Sequence, residues 1–308
     1  MTRFALLLLL LAAPARAATF YLTVAGLGGE PEFDQRFKGL AAELDKLYRQ
    51  GGGDAKVVTL QGADSTRVRI RETLAAFAKD AKPEDAVVVT LIGHGGDDGA
   101  DYKFAIPGPD LSATELASLL DQVPARRQLV VNTTSASGGC FAALEKPGRA
   151  VIAATRTGTE KNATFFARYW AEALRDASAD TDKNNAVSAL EAFRFAGQKT
   201  ARFYESQKRL ATEHPMLEDT GKGQAVRAPS AENGEGLLAA QITVVRLGAL
   251  QAAARTPEKQ KLLAKKEELE RAIDALKYQK AAMPAAEYKK KLTALLLDLA
   301  QTQEEFEK

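Results

Sequence analysis

The sequence predicts an α/β fold with a largely parallel sheet covered by helices on both faces, followed by a C-terminal helical hairpin. Apolar strand-like runs alternate with amphipathic helical stretches up to about residue 250. One of these runs, AVVVTLI at 86–92, is almost continuously apolar and β-branched, which is typical of a parallel strand buried on both faces. Beyond it, the last part of the chain is highly charged and keeps leucines at helical spacing.

The composition is that of a soluble globular protein. The 308 residues carry 42 Lys and Arg against 40 Asp and Glu, and 45% are apolar. These values exclude disordered, collagen-like and purely coiled-coil classes. A formal charge of +2 gives no electrostatic reason to expect nucleic acid as a partner. With two histidines and one cysteine, neither a Cys₄ or Cys₂His₂ zinc site nor an internal disulfide is available to a single chain.

The N-terminus has the pattern of a secretory signal peptide over 1–17. A basic start at Arg3 precedes an apolar run over 4–13, a proline and a small-x-small triplet at 15–17. We therefore expect an exported protein, periplasmic or secreted, whose mature chain begins near Ala18. The alternative is a membrane anchor, but the apolar run is shorter than the ~20 residues that cross a bilayer. We expect no transmembrane segment in the mature chain.

The elements of the α/β domain, predicted over 18–250, follow one another in βαβα order. We predict strands over 20–25, 56–60, 86–92, 128–131 and 150–154. We predict helices over 33–49, 66–79, 111–123, 163–175 and 188–209. A loop rich in Gly, Pro and polar residues follows over 220–236, and 237–247 is predicted as a last strand.

The C-terminal segment, 251–308, is predicted as a helical hairpin. Thr256 and Pro257 form a helix start, and Met283-Pro284 interrupts the helical pattern. Apolar residues repeat at helical spacing on both sides of that interruption, at Leu262, Leu269, Ile273, Leu276, Tyr288, Leu292, Leu295 and Leu299. Two interpretations stay open: the stripes pack on each other or on the α/β domain, or they form a coiled coil that binds a protein partner.

Two short motifs follow the most apolar central strands. His94-Gly95 comes directly after 86–92, and the segment 133–138 comes just after 128–131. In an open parallel sheet the carboxyl ends of the strands form the crevice where ligands bind. We therefore expect these two motifs to meet there, although about 40 residues separate them.

This arrangement resembles the caspase-like cysteine peptidases, including their legumain-like and metacaspase-like branches. Members have a strand ending in His-Gly and a second strand followed by the nucleophilic Cys, any residue and Ser-Gly. Here Ser137-Gly138 matches the Ser-Gly, and Ser135 stands at the position of the cysteine. The resemblance implies a caspase-like three-layer fold, His94 as general base or acid, Ser135 as nucleophile, and an oxyanion hole formed by the backbone N–H groups of Gly95 and Ser135.

Serine at the nucleophile position leaves the chemistry open. A serine hydroxyl needs a positioned base, and a Ser/His pair usually needs a third group that orients the imidazole. The first hypothesis is an exported endopeptidase-type hydrolase. The alternative is a catalytically inactive peptidase-like fold that binds a peptide or protein in the cell envelope. A third is a calcium-dependent structural protein of the envelope. Cys140 lies five residues too late in the motif and is interpreted as a small buried hydrophobe.

The segment 180–191 has the spacing of an EF-hand calcium loop. Acids or amides stand at positions 1, 3 and 5, and a glutamate stands at position 12 before a helix. The predicted Ca²⁺ ligands are Asp180, Asp182, Asn184, the Ala186 carbonyl, Ser188 and Glu191. Asn185 replaces the usual glycine at position 6, where asparagine is the next-best residue for a left-handed backbone. Ser188 and Glu191 are also spaced as a capping box, and the two interpretations are compatible.

Overall fold

The computed structural model describes residues 17–51, 55–248 and 256–308. The predicted signal peptide therefore lies, apart from Ala17, outside the described residues. The strands are β1 (Thr19–Ala25), β2 (Ala55–Leu60), β3 (Ala86–Ile92), β4 (Gly95–Asp97), β5 (Tyr102–Phe104), β6 (Leu111–Ser112), β7 (Arg127–Asn132), β8 (Arg149–Ala153), β9 (Ala186–Ser188), β10 (Met216–Glu218) and β11 (Thr243–Arg246). The helices are α1 (Pro31–Gln50), α2 (Arg67–Asp80), α3 (Ala113–Asp121), α4 (Phe141–Leu144), α5 (Phe166–Ala173), α6 (Ala189–Ser206), α7 (Leu237–Gln241), α8 (Pro257–Tyr278) and α9 (Ala285–Glu307).

A six-stranded sheet in the order β10-β8-β7-β3-β1-β2 forms the centre of the molecule. Five of its strands are parallel, and β10 pairs antiparallel with β8 at one edge. Side chains of β3 alternate between the two faces: Val88 and Ile92 face α1, α5 and α6, whereas Val87, Val89 and Leu91 face α2, α3 and α4. The almost continuous apolar run at 86–92 follows from this burial on both faces. The predicted fold class, a mostly parallel three-layer α/β structure, is confirmed.

Local signals in the sequence start the main helices. Pro31 occupies the first turn of α1, where the missing N–H has no intrahelical partner in any case. Thr66 and Ser188 cap α2 and α6 through their side-chain oxygens, and Glu191 completes a capping box at α6. Each such cap contributes about 1 kcal/mol to helix stability. Long-range contacts then join distant segments: the Tyr21 hydroxyl in β1 donates to the Val244 carbonyl in β11, 223 residues away (2.8 Å).

The predicted C-terminal hairpin is present as α8 and α9. Leu263, Ile273 and Leu276 of α8 are buried, whereas α9 packs on α8 and keeps Leu296 and Leu297 exposed. Polar contacts tie α8 to the α/β part of the chain, among them Glu267 with Arg246, Lys266 with the Asn184 carbonyl, and Tyr278 with the Glu235 carbonyl.

The structure corrects the prediction for 237–247. Leu237–Gln241 is helical, and only Thr243–Arg246 forms a strand, which pairs antiparallel with β9 outside the main sheet. Two further features were not predicted: the edge strand β10 and the small antiparallel sheet of β4, β5 and β6. All of these strands have four residues or fewer, too short for a two-residue periodicity to be distinguished from chance.

Candidate functional site

The two predicted motifs meet at the carboxyl ends of β3 and β7. These strands are parallel neighbours, and Leu91 stands opposite Asn132 in their register. Thr133, the first residue after β7, donates both its backbone N–H (3.0 Å) and its hydroxyl (2.7 Å) to the Leu91 carbonyl. This double contact draws the loop after β7 against the end of β3.

Ser135 is bonded to the backbone of Gly95. Its hydroxyl accepts from the Gly95 N–H at 3.1 Å and donates to the Gly95 carbonyl at 3.0 Å. The side chain is buried, with 3% of its surface exposed. A hydroxyl has one proton to donate, so this geometry uses it on a carbonyl and gives the imidazole of His94 no hydrogen bond from Ser135. The Gly95 N–H, a predicted oxyanion-hole donor, is likewise engaged by the Ser135 oxygen.

His94 lies against helix α1. Its ring is half-buried and meets Phe33 and Phe37 edge-on, with ring centroids 4.9 and 5.1 Å apart. Among the residues that the structure describes, the ring nitrogens of His94 make no hydrogen bond, whereas the ring of His214 bonds Glu160. The imidazole is therefore oriented by aromatic packing and not by a carboxylate.

Ser137 and Gly138 join the loop after β7 to the loop after β8. The Ser137 oxygen accepts from the Thr155 N–H (3.1 Å), and the Gly138 N–H donates to the Thr155 hydroxyl (2.8 Å). Ala136 between the two serines has a left-handed backbone (φ 54°), and its N–H donates to the Glu160 carbonyl. A Cβ at position 138 would collide with the backbone of Arg156, so this position requires glycine. Ser137 and Gly138 thus hold the loop in place.

Three further groups around this loop were not predicted as site residues. His214 pairs with Glu160 through Nδ1 (2.5 Å), and Glu160 also accepts from the N–H groups of His214 and Arg156. The Tyr102 hydroxyl is buried and bonded to Thr134 (2.5 Å). The contacts of Tyr102 with Thr134 and of His214 with Glu160 span 32 and 54 residues and follow no motif, so sequence spacing carried no signal for them.

Cys140 is fully buried, and burial raises the pKa of its thiol to about 12. It lies beyond the loop that holds Ser135, in the short turn before α4. A thiol in this environment stays protonated at neutral pH, so it is an inert packing group.

The predicted calcium loop brings three of its carboxylates together. Ligand oxygens of Asp180, Asp182 and Glu191 lie within 4.8 Å of one another. Asn185 adopts the left-handed backbone expected at position 6 (φ 66°), and its N–H donates to Asp180 (3.0 Å). Asp182 is exposed at its surface, yet desolvation of its carboxylate by the surrounding loop, followed by the charges of Glu191 and Asp180, raises its pKa to about 6. A bound divalent cation would relieve this repulsion, so the donor set suits Ca²⁺.

The other predicted ligands make contacts within the loop. The Asn184 side-chain carbonyl accepts from the Ala186 N–H (2.8 Å), and the Ser188 hydroxyl donates to Glu191 (2.8 Å). Helix α8 approaches from outside: Lys266 donates to the Asn184 carbonyl, and Glu270 lies 3.5 Å from the Asn184 amide. Burial raises the pKa of Glu270 to about 7. The hairpin therefore contributes charge to a loop some 80 residues earlier in the chain.

The fold and these loops define a three-layer α/β protein with a candidate site at the carboxyl ends of β3 and β7. No protein-family model and no curated protein matches the chain. Among solved structures it is similar to the protein GSU0716 from Geobacter sulfurreducens, at a TM-score of 0.45 and 13% identity, covering 67% of this chain and 94% of the other.

Two caspases give similar values. The Drosophila initiator caspase Dronc matches at a TM-score of 0.44 and 10% identity, covering 70% of this chain and 83% of the other. Caspase-1 from Spodoptera frugiperda matches at 0.46 and 14%, covering 68% and 88%. These likenesses concern the fold, and they say nothing about catalysis, substrate or partners of this chain.

Proposed function

We propose that this protein is an exported peptide- or protein-binding module, built on a peptidase-like fold, whose His94/Ser135 site does not cleave peptide bonds. One observation carries the proposal: the Ser135 hydroxyl is bonded on both sides to the backbone of Gly95. Endopeptidase activity is the competing function, and it needs a different arrangement of the same residues.

The chemistry of serine supports this interpretation. A serine oxygen attacks a carbonyl only when a base removes its proton during the step. In this protein the proton points to a carbonyl oxygen, which is not a base at neutral pH, and His94 packs on Phe33 and Phe37 without an orienting acceptor. Recruiting His94 would require Ser135 to give up the hydrogen bond that it donates to the Gly95 carbonyl.

The proposed partner surface is the hairpin. Helix α8 is anchored on the α/β part of the chain, which leaves the outer side of α9 free to meet another protein. Leu296 and Leu297 on that side are 48% and 59% exposed. In this proposal the loop 180–191 binds Ca²⁺ through Asp180, Asp182 and Glu191, and the ion supports the structure without acting in a reaction.

Export is part of the proposal and rests on the signal-peptide pattern of 1–17. No helix within the described ranges is long and apolar enough to cross a membrane.

The experiment incubates the mature chain, starting at Ala18, with a diverse peptide mixture, with and without Ca²⁺, followed by mass spectrometry. Ser135→Ala, His94→Ala and Ser135→Cys are tested beside it. We expect no new cleavage products from any variant, and we expect a subset of peptides to co-elute with the protein on size exclusion. Products that vanish in both alanine variants would establish a Ser/His hydrolase and overturn the proposal. Absence of any retained peptide or protein would reject the binding function.

A further inference from the structure

A buried carboxylate stands at the place where the predicted mature chain begins. Asp85, in the turn between α2 and β3, is 4% exposed. One of its oxygens accepts from the Lys82 N–H (2.7 Å), and the other accepts from the Ala18 N–H (2.7 Å). The ion pairs formed by the described residues do not include Asp85.

Both the N–H and the carbonyl of Ala18 are hydrogen-bonded. Its N–H donates to Asp85, and its carbonyl accepts from the Ala86 N–H (3.0 Å) as β1 begins beside β3. Ala17, one residue earlier, is exposed. The chain therefore leaves the protein surface between residues 17 and 18, at the bond that the small-x-small triplet marks for cleavage.

We propose that cleavage after Ala17 creates a new ion pair. The α-ammonium group of Ala18 pairs with the buried carboxylate of Asp85 and holds the first strand on the sheet. The proposal rests on the export proposed above. Hydrolysis of the Ala17–Ala18 bond by a signal peptidase consumes one water, leaves a carboxylate on Ala17 and leaves an ammonium on Ala18. A neutral amide donor then becomes a charged one, already 2.7 Å from a buried anion.

The charged groups near residue 18 leave Asp85 as its counter-ion. A cavity of about 260 Å³ opens beside Ala18, between the amino ends of the strands and α8, and Arg127, Arg246, Arg271 and Glu267 line it. Glu267 is paired with Arg246, and Arg127 directs its guanidinium to the Glu84 carbonyl. Asp85 is the anion within hydrogen-bond reach of an ammonium group at residue 18.

The test compares three purified chains by urea unfolding at pH 7: one beginning at Ala18 with a free amine, the same chain acetylated at Ala18, and one beginning at Ala17. We expect the free-amine chain from Ala18 to have an unfolding equilibrium constant at least about tenfold lower than the acetylated chain, because an opposite charge at this distance favours the charged form by one pKa unit or more. The chain that begins at Ala17 places its ammonium group one residue, about 3.3 Å, further out, so its stability should equal that of the acetylated chain.

The same comparison in Asp85→Asn tests the role of Asp85. There the ammonium has lost its counter-ion, so the stability difference between the free and the acetylated chain should disappear. Equal stability of free and acetylated chains in both backgrounds would overturn the ion pair. If Asp85→Asn does not fold, acylation of the Ala18 amine in the native wild-type protein replaces it: we expect a rate at least about tenfold slower than in urea, and equal rates would refute the proposal.

Intact-mass measurement of the exported protein separates this inference from the proposed export. A mature chain that begins elsewhere than at Ala18 would reject the proposed cleavage. The comparison of free and acetylated chains would still decide whether Asp85 binds an ammonium group.

Discussion

Replacing Asp182 by asparagine should stabilise the protein without calcium and leave its stability about unchanged in excess calcium. Without the ion, Asp182 faces two like charges, Asp180 and Glu191, at no more than 4.8 Å between ligand oxygens. At that distance each pair repels by about 0.9 kcal/mol even in a water-like dielectric of about 80. Asp182→Asn relieves both pairs, while the new amide group weakens the contact between Asn184 Nδ2 and residue 182. The expected net gain in unfolding free energy is about 1 kcal/mol.

Calcium offsets this gain. For a loop with Kd of about 10⁻⁴–10⁻³ M, about 10 mM Ca²⁺ stabilises the wild-type fold by about 1.4–2.7 kcal/mol. Asp182→Asn removes one charged ligand. If its Kd rises about tenfold, its calcium stabilisation is about 1 kcal/mol smaller.

Urea unfolding of both proteins in a calcium chelator and in excess Ca²⁺ measures all four values. Asp64→Asn is the matched control, because it removes the same charge from an exposed aspartate outside the loop. An equal calcium response in wild type and Asp182→Asn would refute the assignment of this loop as a calcium site. A loss of stability in the chelator would refute the electrostatic reasoning.

Three further predictions concern buried polar groups. Burial raises the pKa of Glu213 to about 7 from 4.5, so the folded state disfavours its ionised form. The free energy of unfolding should therefore fall by about 3 kcal/mol as the pH rises from about 4.5 to 8. Urea titrations at several pH values measure this slope, and Glu213→Gln should flatten it. Cys140 should not react with a thiol reagent at pH 8 until the protein unfolds, because its thiol is buried with a pKa of about 12. Arg149→Met should lower the unfolding free energy by about 3 kcal/mol, since it leaves the Gln128 and Leu144 oxygens without their buried donor.

The Glu213 and Arg149 predictions each have a control variant on the exposed surface. Glu205→Gln should leave the pH slope unchanged, and an unchanged slope in Glu213→Gln would show that another group titrates. Rapid modification of Cys140 in the native protein would contradict its burial. Lys146→Met removes an exposed partner of the same Asp121 that Arg149 contacts, and it should cost about 0.5 kcal/mol or less. Equal losses in the two variants would contradict the role of burial.

The parallel sheet and the meeting of the two motifs could be predicted from sequence for a physical reason. Long apolar runs such as 86–92 have few alternatives to a strand buried on both faces, and adjacent parallel strands bring their carboxyl ends together. The bonding inside the site could not be predicted. Whether Ser135 meets His94 or Gly95 depends on a side-chain rotamer and on α1, whose Phe33 and Phe37 approach His94 from some 60 residues earlier.

The calcium loop also combines features that can be predicted from the sequence with features that cannot. Its ligand spacing and the left-handed Asn185 are local properties of twelve residues, so the sequence contains them. The approach of Lys266 and Glu270 depends on how the hairpin docks, and no local pattern encodes that. Likewise, 237–247 is apolar enough for one strand, yet Thr243–Arg246 alone finds a partner, in β9.

The contact between Tyr21 and Val244 sets a condition on the timing of folding. The Tyr21 hydroxyl in the first strand of the sheet has its partner 223 residues later, so a chain synthesised from its N-terminus cannot close this contact until Val244 has emerged. The strand that is synthesised first is therefore completed by one of the last strands of the chain, and a chain truncated before β11 would leave the Tyr21 hydroxyl without this acceptor.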